Sequence, residues 1–98
     1  MKVYSISSPE QLNRAADLVK WERDRRKVED HVRAMQNGYG PKSLTLEVGR
    51  NAIIHYIADD GKKTQLATLY VIPAREFARE ELTEVCVGGE KKCRTEVK

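Results

Sequence analysis

After Pro9, residues 10–36 contain neither glycine nor proline, and strong signals bracket them at both ends. Ser8 is a good N-cap, Pro9 fits the first helical position, and Gln11 stands where a capping box needs it. Gly38 suits the left-handed position that ends a helix, and Pro41 forbids continuation. The spacing predicts one helix over 9–36. On a wheel of about 100° per residue, Leu12, Ala15, Ala16 and Val19 form one apolar stripe. Trp21, Val28, Val32 and Met35 form a second stripe on the opposite side, and Leu18 lies between the two. The apolar face turns by half a revolution near residue 20.

A straight rod cannot press both stripes onto one sheet. Such a rod would run to about 42 Å, whereas a compact domain of this size is roughly 33 Å across. Either the helix breaks near residues 20–24, or one half packs on its own domain and the other on a second chain. No glycine or proline marks a break, so the second outcome is expected. Two-fold symmetry is the default for such a homo-oligomer. The interface is expected at Leu18, Trp21, Val28, Val32 and Met35, with Arg25 a misfit in that spacing.

The rest of the chain reads as strands and a second helix. "VYSI" (3–6) alternates weakly and could form a short strand. "SLTLEV" (43–48) alternates Leu44, Leu46 and Val48 against Thr45 and Glu47, the mark of a half-buried strand. "AIIHYIA" (52–58) is apolar on both faces and reads as a central strand. "DDGK" (59–62) is a hairpin turn, and "TQLATLYVI" (64–72) the next strand. Pro73 opens a second helix over 73–86, with Ala74, Phe77, Ala78, Leu82 and Val85 on one face. The tail "EKKCRTEVK" is polar, either loose or a weak edge strand. The expected fold is a single α+β domain: a long N-terminal helix, a three-stranded antiparallel meander and a C-terminal amphipathic helix.

With 98 residues and a net charge of +3, the chain is mildly basic, short of a dedicated DNA-coating protein. No apolar run reaches the length of a membrane span, and "MKVYSISSPEQ" lacks the apolar core of a signal peptide. A cytoplasmic location is expected. Cys86 and Cys93 then read as free thiols, although a disulfide around "VGGEKK" is geometrically allowed. Without nearby histidines they make a poor zinc site.

Charge concentrates in "KWERDRRKVED" (20–30), where five positive and four negative residues surround the single tryptophan. Glu22–Arg26, Arg25–Glu29 and Arg26–Asp30 stand at helical ion-pair spacing, so the segment largely neutralises itself as a solvated face. Arginine beside an aromatic also suits phosphates and bases. In "NGYGPK" (37–42), Tyr39 could stack on a base and Lys42 could meet a phosphate. The negative end of the preceding helix works against an anion there, and an ordinary C-cap and turn is the plainer reading. The ligand-binding set is therefore Trp21, Arg25, Arg26, Tyr39 and Lys42. His55 in the central strand reads as a satisfied structural histidine and His31 as a surface residue. No nucleophile motif, paired catalytic carboxylates or dinucleotide fingerprint appears. A non-enzymatic protein with no catalytic residue, no metal and no cofactor is expected.

From the capped, charged helix through the strands to "VIPAREFAREEL", the chain resembles the small accessory proteins of tailed bacteriophages. The resemblance is one of format across most of the chain and transfers no site. It implies an inhibitor or a sequestering agent directed at host defence, taking up either a protein or an anionic nucleotide signal, and acting as a homo-oligomer in the host cytoplasm. Two other functions fit the residues. One is a nucleic-acid-binding accessory protein using Arg23, Arg25, Arg26, Lys27, Lys62 and Lys63, with steep salt dependence. The other is a structural or assembly protein.

Overall fold

A computed structural model of the chain describes residues 2–39, 43–58 and 60–85. In chain order the elements are β1 (Lys2–Ser5), α1 (Pro9–Ala16), α2 (Glu22–Gln36), β2 (Ser43–Val48), β3 (Ala52–Ile57), β4 (Lys63–Leu69), α3 (Val71–Glu81) and β5 (Thr83–Val85). The strands form one antiparallel sheet in the order β4-β3-β2-β1-β5. Four successive antiparallel pairings make β4 and β5 run in the same direction at opposite edges. Their connection has to recross the sheet, and α3 does so over β3, β2 and β5.

The alternation of β2 decides which face is covered. Leu44, Leu46 and Val48 are buried, and Tyr4, Leu46, Ile54 and Ala67 stand side by side across four strands. This face packs with Leu12, Ala15 and Ala16 of α1, Val28 and Val32 of α2, and Ala74 and Ala78 of α3 in one core. The opposite face carries Val3, Ser5, Thr45, Glu47, Ile53, His55 and Ile57, all half-buried, with no described helix over it.

The expected fold needs correction on three points. The first is the helix, which is two helices rather than one long N-terminal rod. Ser8 and Gln11 do start α1: the Gln11 N–H donates to Ser8 Oγ (3.2 Å), and the Ser7 N–H donates to Gln11 Oε1 (2.8 Å). α1 ends at Ala16, with Asp17 as its C-cap, and helix resumes at Glu22. Neither glycine nor proline causes the break; pairing with the sheet edge does. The Lys20 N–H donates to the Thr68 carbonyl (2.9 Å), the Tyr70 N–H donates to the Leu18 carbonyl (2.9 Å), and Val19 bridges Leu69. Asp24 Oδ2 accepts from the Thr68 N–H at 3.4 Å. These contacts satisfy part of the open edge of β4 that an unbroken helix would leave bare.

The elbow also disposes of the second stripe. Val28 is fully buried and Val32 is 6 % exposed, both in this chain's own core, while Leu18 and Met35 pack partly buried against it. Only Trp21 of the expected interface set stays in solvent. The two stripes therefore give no reason to expect a second copy.

The second correction concerns the sheet, which has five strands, and the third the bounds of the C-terminal helix. β1 and β5 extend the meander beyond β2, with Val3 opposite Val85 and Ser5 opposite Thr83. The C-terminal helix ends at Glu81, because Leu82 is already extended and β-branched Thr83 and Val85 gain a ladder with β1. At its other end α3 starts at Val71, so Pro73 sits in the first turn, where a missing N–H costs nothing. Lys42, Cys86, Cys93 and the polar tail lie outside the described residues.

The helix α3 rests on small side chains: Ala74, Ala78 and Ala52 of β3 are all fully buried. Ala78→Leu should push the helix off the sheet at a cost of about 1–3 kcal/mol. Thermal melts followed by circular dichroism should show a lowered midpoint with the fold retained.

Candidate functional site

Pairing of the elbow with β4 fixes the neighbourhood of three exposed apolar side chains. The Tyr70 N–H bond to Leu18 brings the start of α3 beside Lys20 and Trp21. Lys20 Nζ then lies 5.9 Å from the ring centroids of both Trp21 and Tyr70. Trp21 is 57 % exposed, Tyr70 52 % and Ile72 68 %. Trp21 and Tyr70 are the extended N-cap residues of α2 and α3, and neither makes a side-chain cap bond. A cleft of 390 Å³ opens at Trp21, lined by Trp21, Arg23 and Asp24. Asp24 is engaged with Thr68 and lies 4.0 Å from Lys27, leaving Arg23 as a cation at the cleft wall without an ion pair among the described residues.

The ligand-binding set read from the sequence does not converge. Trp21 and Tyr39 flank opposite ends of α2, whose fifteen residues span about 22 Å. Arg25 is half-buried on α2, Arg26 lies 3.8 Å from Glu22, and Tyr39 is 75 % exposed. The nucleic-acid set is dispersed as well: Lys27 faces Asp24 and Lys63 pairs with Glu47 at 2.5 Å. Only Trp21 and Arg23 of the residues singled out meet in one cleft. Tyr70, which joins Trp21 around Lys20 outside the cleft, was hidden by the reading of 64–72 as unbroken strand.

No family model matches the chain, and no curated protein or solved structure is similar to it.

The open face of the sheet holds a second polar group. Glu47, His55 and Lys63 meet across β2, β3 and β4, with Glu47 Oε2 3.4 Å from His55 Nδ1. That approach lacks hydrogen-bond geometry, so Nδ1 is buried without a partner among the described residues, contrary to the expected satisfied histidine. His31 likewise is no plain surface residue: its ring lies 5.1 Å from Tyr56, and Nδ1 is 3.0 Å from the Lys27 carbonyl. Among the described residues no three His, Cys, Asp or Glu side chains group closely enough to hold a metal ion. No described helix is long and apolar enough to cross a membrane.

Burial holds the His55 imidazole below its ordinary value of 6.5; Glu47 pulls the other way and Lys63 adds to the lowering. The folded state thus keeps His55 neutral at pH values where the unfolded chain protonates it. Stability should fall as pH drops through 6.5 toward the folded value, then level off. His55→Gln should flatten this dependence, read as unfolding midpoints in urea between neutral and mildly acidic pH. An unchanged slope would assign the pH dependence to other groups.

Proposed function

We propose that the protein is a non-enzymatic binding module that docks a protein partner through the elbow. The observation that carries this reading is the cluster of Trp21 and Tyr70, each more than half exposed, around one lysine. Large aromatic side chains cost little entropy to immobilise and dominate binding energy at protein interfaces. Ile72 extends the apolar area, and Lys20 and Arg23 set its charge. The complementary surface is an apolar pocket with an acidic rim. The likeness in format to small phage accessory proteins supports a component of host defence as the partner, blocked or sequestered in the cytoplasm.

A nucleic-acid reading has one observation in its favour, since cations beside exposed aromatic rings also suit stacked bases. One pair of measurements separates the two. Native mass spectrometry of protein purified from producing cells reports copies, retained protein and retained nucleotide together. The chain has a single tryptophan, so its fluorescence reports on the elbow itself. A retained protein whose release changes Trp21 emission supports docking. A retained nucleotide or oligonucleotide, released steeply by salt, replaces it with the nucleic-acid reading. A bare chain whose emission never responds to any cell fraction overturns both.

A further inference from the structure

A second cleft, of 290 Å³, lies between one flank of α3 and the neighbouring ends of β1 and β2. Its lining includes Lys2, Tyr4, Val48, Gly49, Arg75 and Arg79. Tyr4 and Val48 are buried and form an apolar floor; Gly49 adds no side chain to the wall. The cations come from two elements distant in sequence, and the folding of α3 accounts for their meeting. Ala74 and Ala78 face the core, so the residue following each, Arg75 and Arg79, falls on a single flank of the helix. Glu81 falls on the other flank, where it bonds Arg14 at 2.6 Å, and the α1–α3 contact is completed by Gln11 Nε2 donating to the Glu81 carbonyl.

The helix therefore holds Arg75 and Arg79 apart from Glu81. Lys2, Arg75 and Arg79 make no ion pair with any described residue. Glu76 and Glu80 of the same helix and Glu84, opposite Tyr4 in the β1–β5 ladder, make no ion pair with them either. No described acidic residue lines the cleft. Three like charges around a concave surface with an apolar floor raise the local potential and concentrate anions there. Two guanidinium forks are matched to the oxygens of a phosphate, and an ammonium supplies a further point charge.

We propose that this cleft is a binding site for a phosphate-class anion, held by Arg75 and Arg79 with Lys2 completing the charge. The site shares no residue with the elbow and does not depend on it. Both a free inorganic anion and a phosphate ester present the recognised group, and the apolar floor leaves room for the organic part of an ester.

The test is a titration of the ¹⁵N-labelled full chain with inorganic phosphate and, separately, a nucleoside monophosphate, at ionic strength held constant with sodium chloride. Saturable shifts at the Gly49 amide and the Arg75 and Arg79 side-chain signals are expected. The double variant Arg75→Gln/Arg79→Gln should weaken binding by roughly tenfold or more. Trp21→Ala should leave it unchanged. Tighter binding of the nucleotide than of phosphate identifies an ester as the ligand; equal binding identifies the bare anion. Shifts that fail to saturate, that map elsewhere, or that persist in the double variant overturn the proposal, as does loss of binding in Trp21→Ala. Both arginines are exposed and unpaired among the described residues, so the double variant is expected to fold. The wild-type map stands on its own if it does not.

Discussion

Val28→Asp should yield a chain without a cooperative unfolding transition. Val28 is fully buried among the largest such side chains of the core, alongside Leu12, Leu46, Ile54 and Leu69. A carboxylate there has no cationic partner in the core and would have to be buried alone, at several kcal/mol even after its pKa rises. A domain of this size has a total stability of only about 5–15 kcal/mol. The milder Val28→Ala removes about 0.8 kcal/mol per lost methylene equivalent and adds the cost of the cavity. Together these should reach about 2 kcal/mol, lowering the melting midpoint by roughly 4–8 °C per kcal/mol. The pair discriminates between two ways of burying the second stripe. If Val28 sat between two copies, the aspartate would produce a folded monomer, visible as a halved mass in sedimentation with an intact melt. That outcome would refute the fold in which α2 covers its own sheet.

The legible parts of the fold are those whose cause is local. The alternation of Leu44, Leu46 and Val48 gave β2 its bounds, and Gly61, at φ +86°, occupies the tight turn between β3 and β4. Gly38, at φ +84°, closes α2 where a left-handed residue was required. The elbow was not legible in this way. Nothing within residues 17–21 forbids a helix; its interruption is written in Thr68 and Tyr70, whose main chain offers a carbonyl and an N–H to Lys20 and Leu18. Yet the half-turn change of apolar face was already the signature of a break. Two stripes on opposite sides can share one core when a short extended segment rotates the second helix. The outer strands have the same kind of cause. "VYSI" and "TEV" are too short to be stable alone: the first is held by pairing with β2, and the second by pairing with the first.

The two sites divide along the same line. Trp21 and Arg23 are close in sequence, and a charged run beside the single tryptophan drew attention to them. Tyr70 joins Trp21 around Lys20 only because the strand ends at Leu69 and α3 starts two residues before Pro73. The cationic cleft is more thoroughly hidden. Arg75 and Arg79 alternate with Glu76, Glu80 and Glu81, so in sequence the helix looks neutral. Only the burial of Ala74 and Ala78 shows that Arg75 and Arg79 share one flank, away from Glu81, and only the placement of β1 adds Lys2.

Trp21→Ala should separate binding from folding. Trp21 and Val28 lie on one stripe of the sequence wheel, yet they are expected to respond in opposite ways. The Trp21 side chain is 57 % exposed, and its recorded aromatic interaction is the cation of Lys20 at 5.9 Å. Its removal should cost less than about 1 kcal/mol of stability, the size of an exposed cation–π contact. At a protein interface the same truncation strips a central anchor and leaves the partner's pocket unfilled. A loss of at least about 2 kcal/mol is expected, a weakening of roughly thirtyfold. Tyr70→Ala should weaken the same complex, while Tyr39→Ala, at the far end of α2, should not. The measurement is titration of the purified partner by calorimetry, with melts of each variant recorded in parallel. Equal affinity of Trp21→Ala and the unsubstituted chain, at unchanged stability, would show that the elbow is only solvated surface and would move the docking face elsewhere on the molecule.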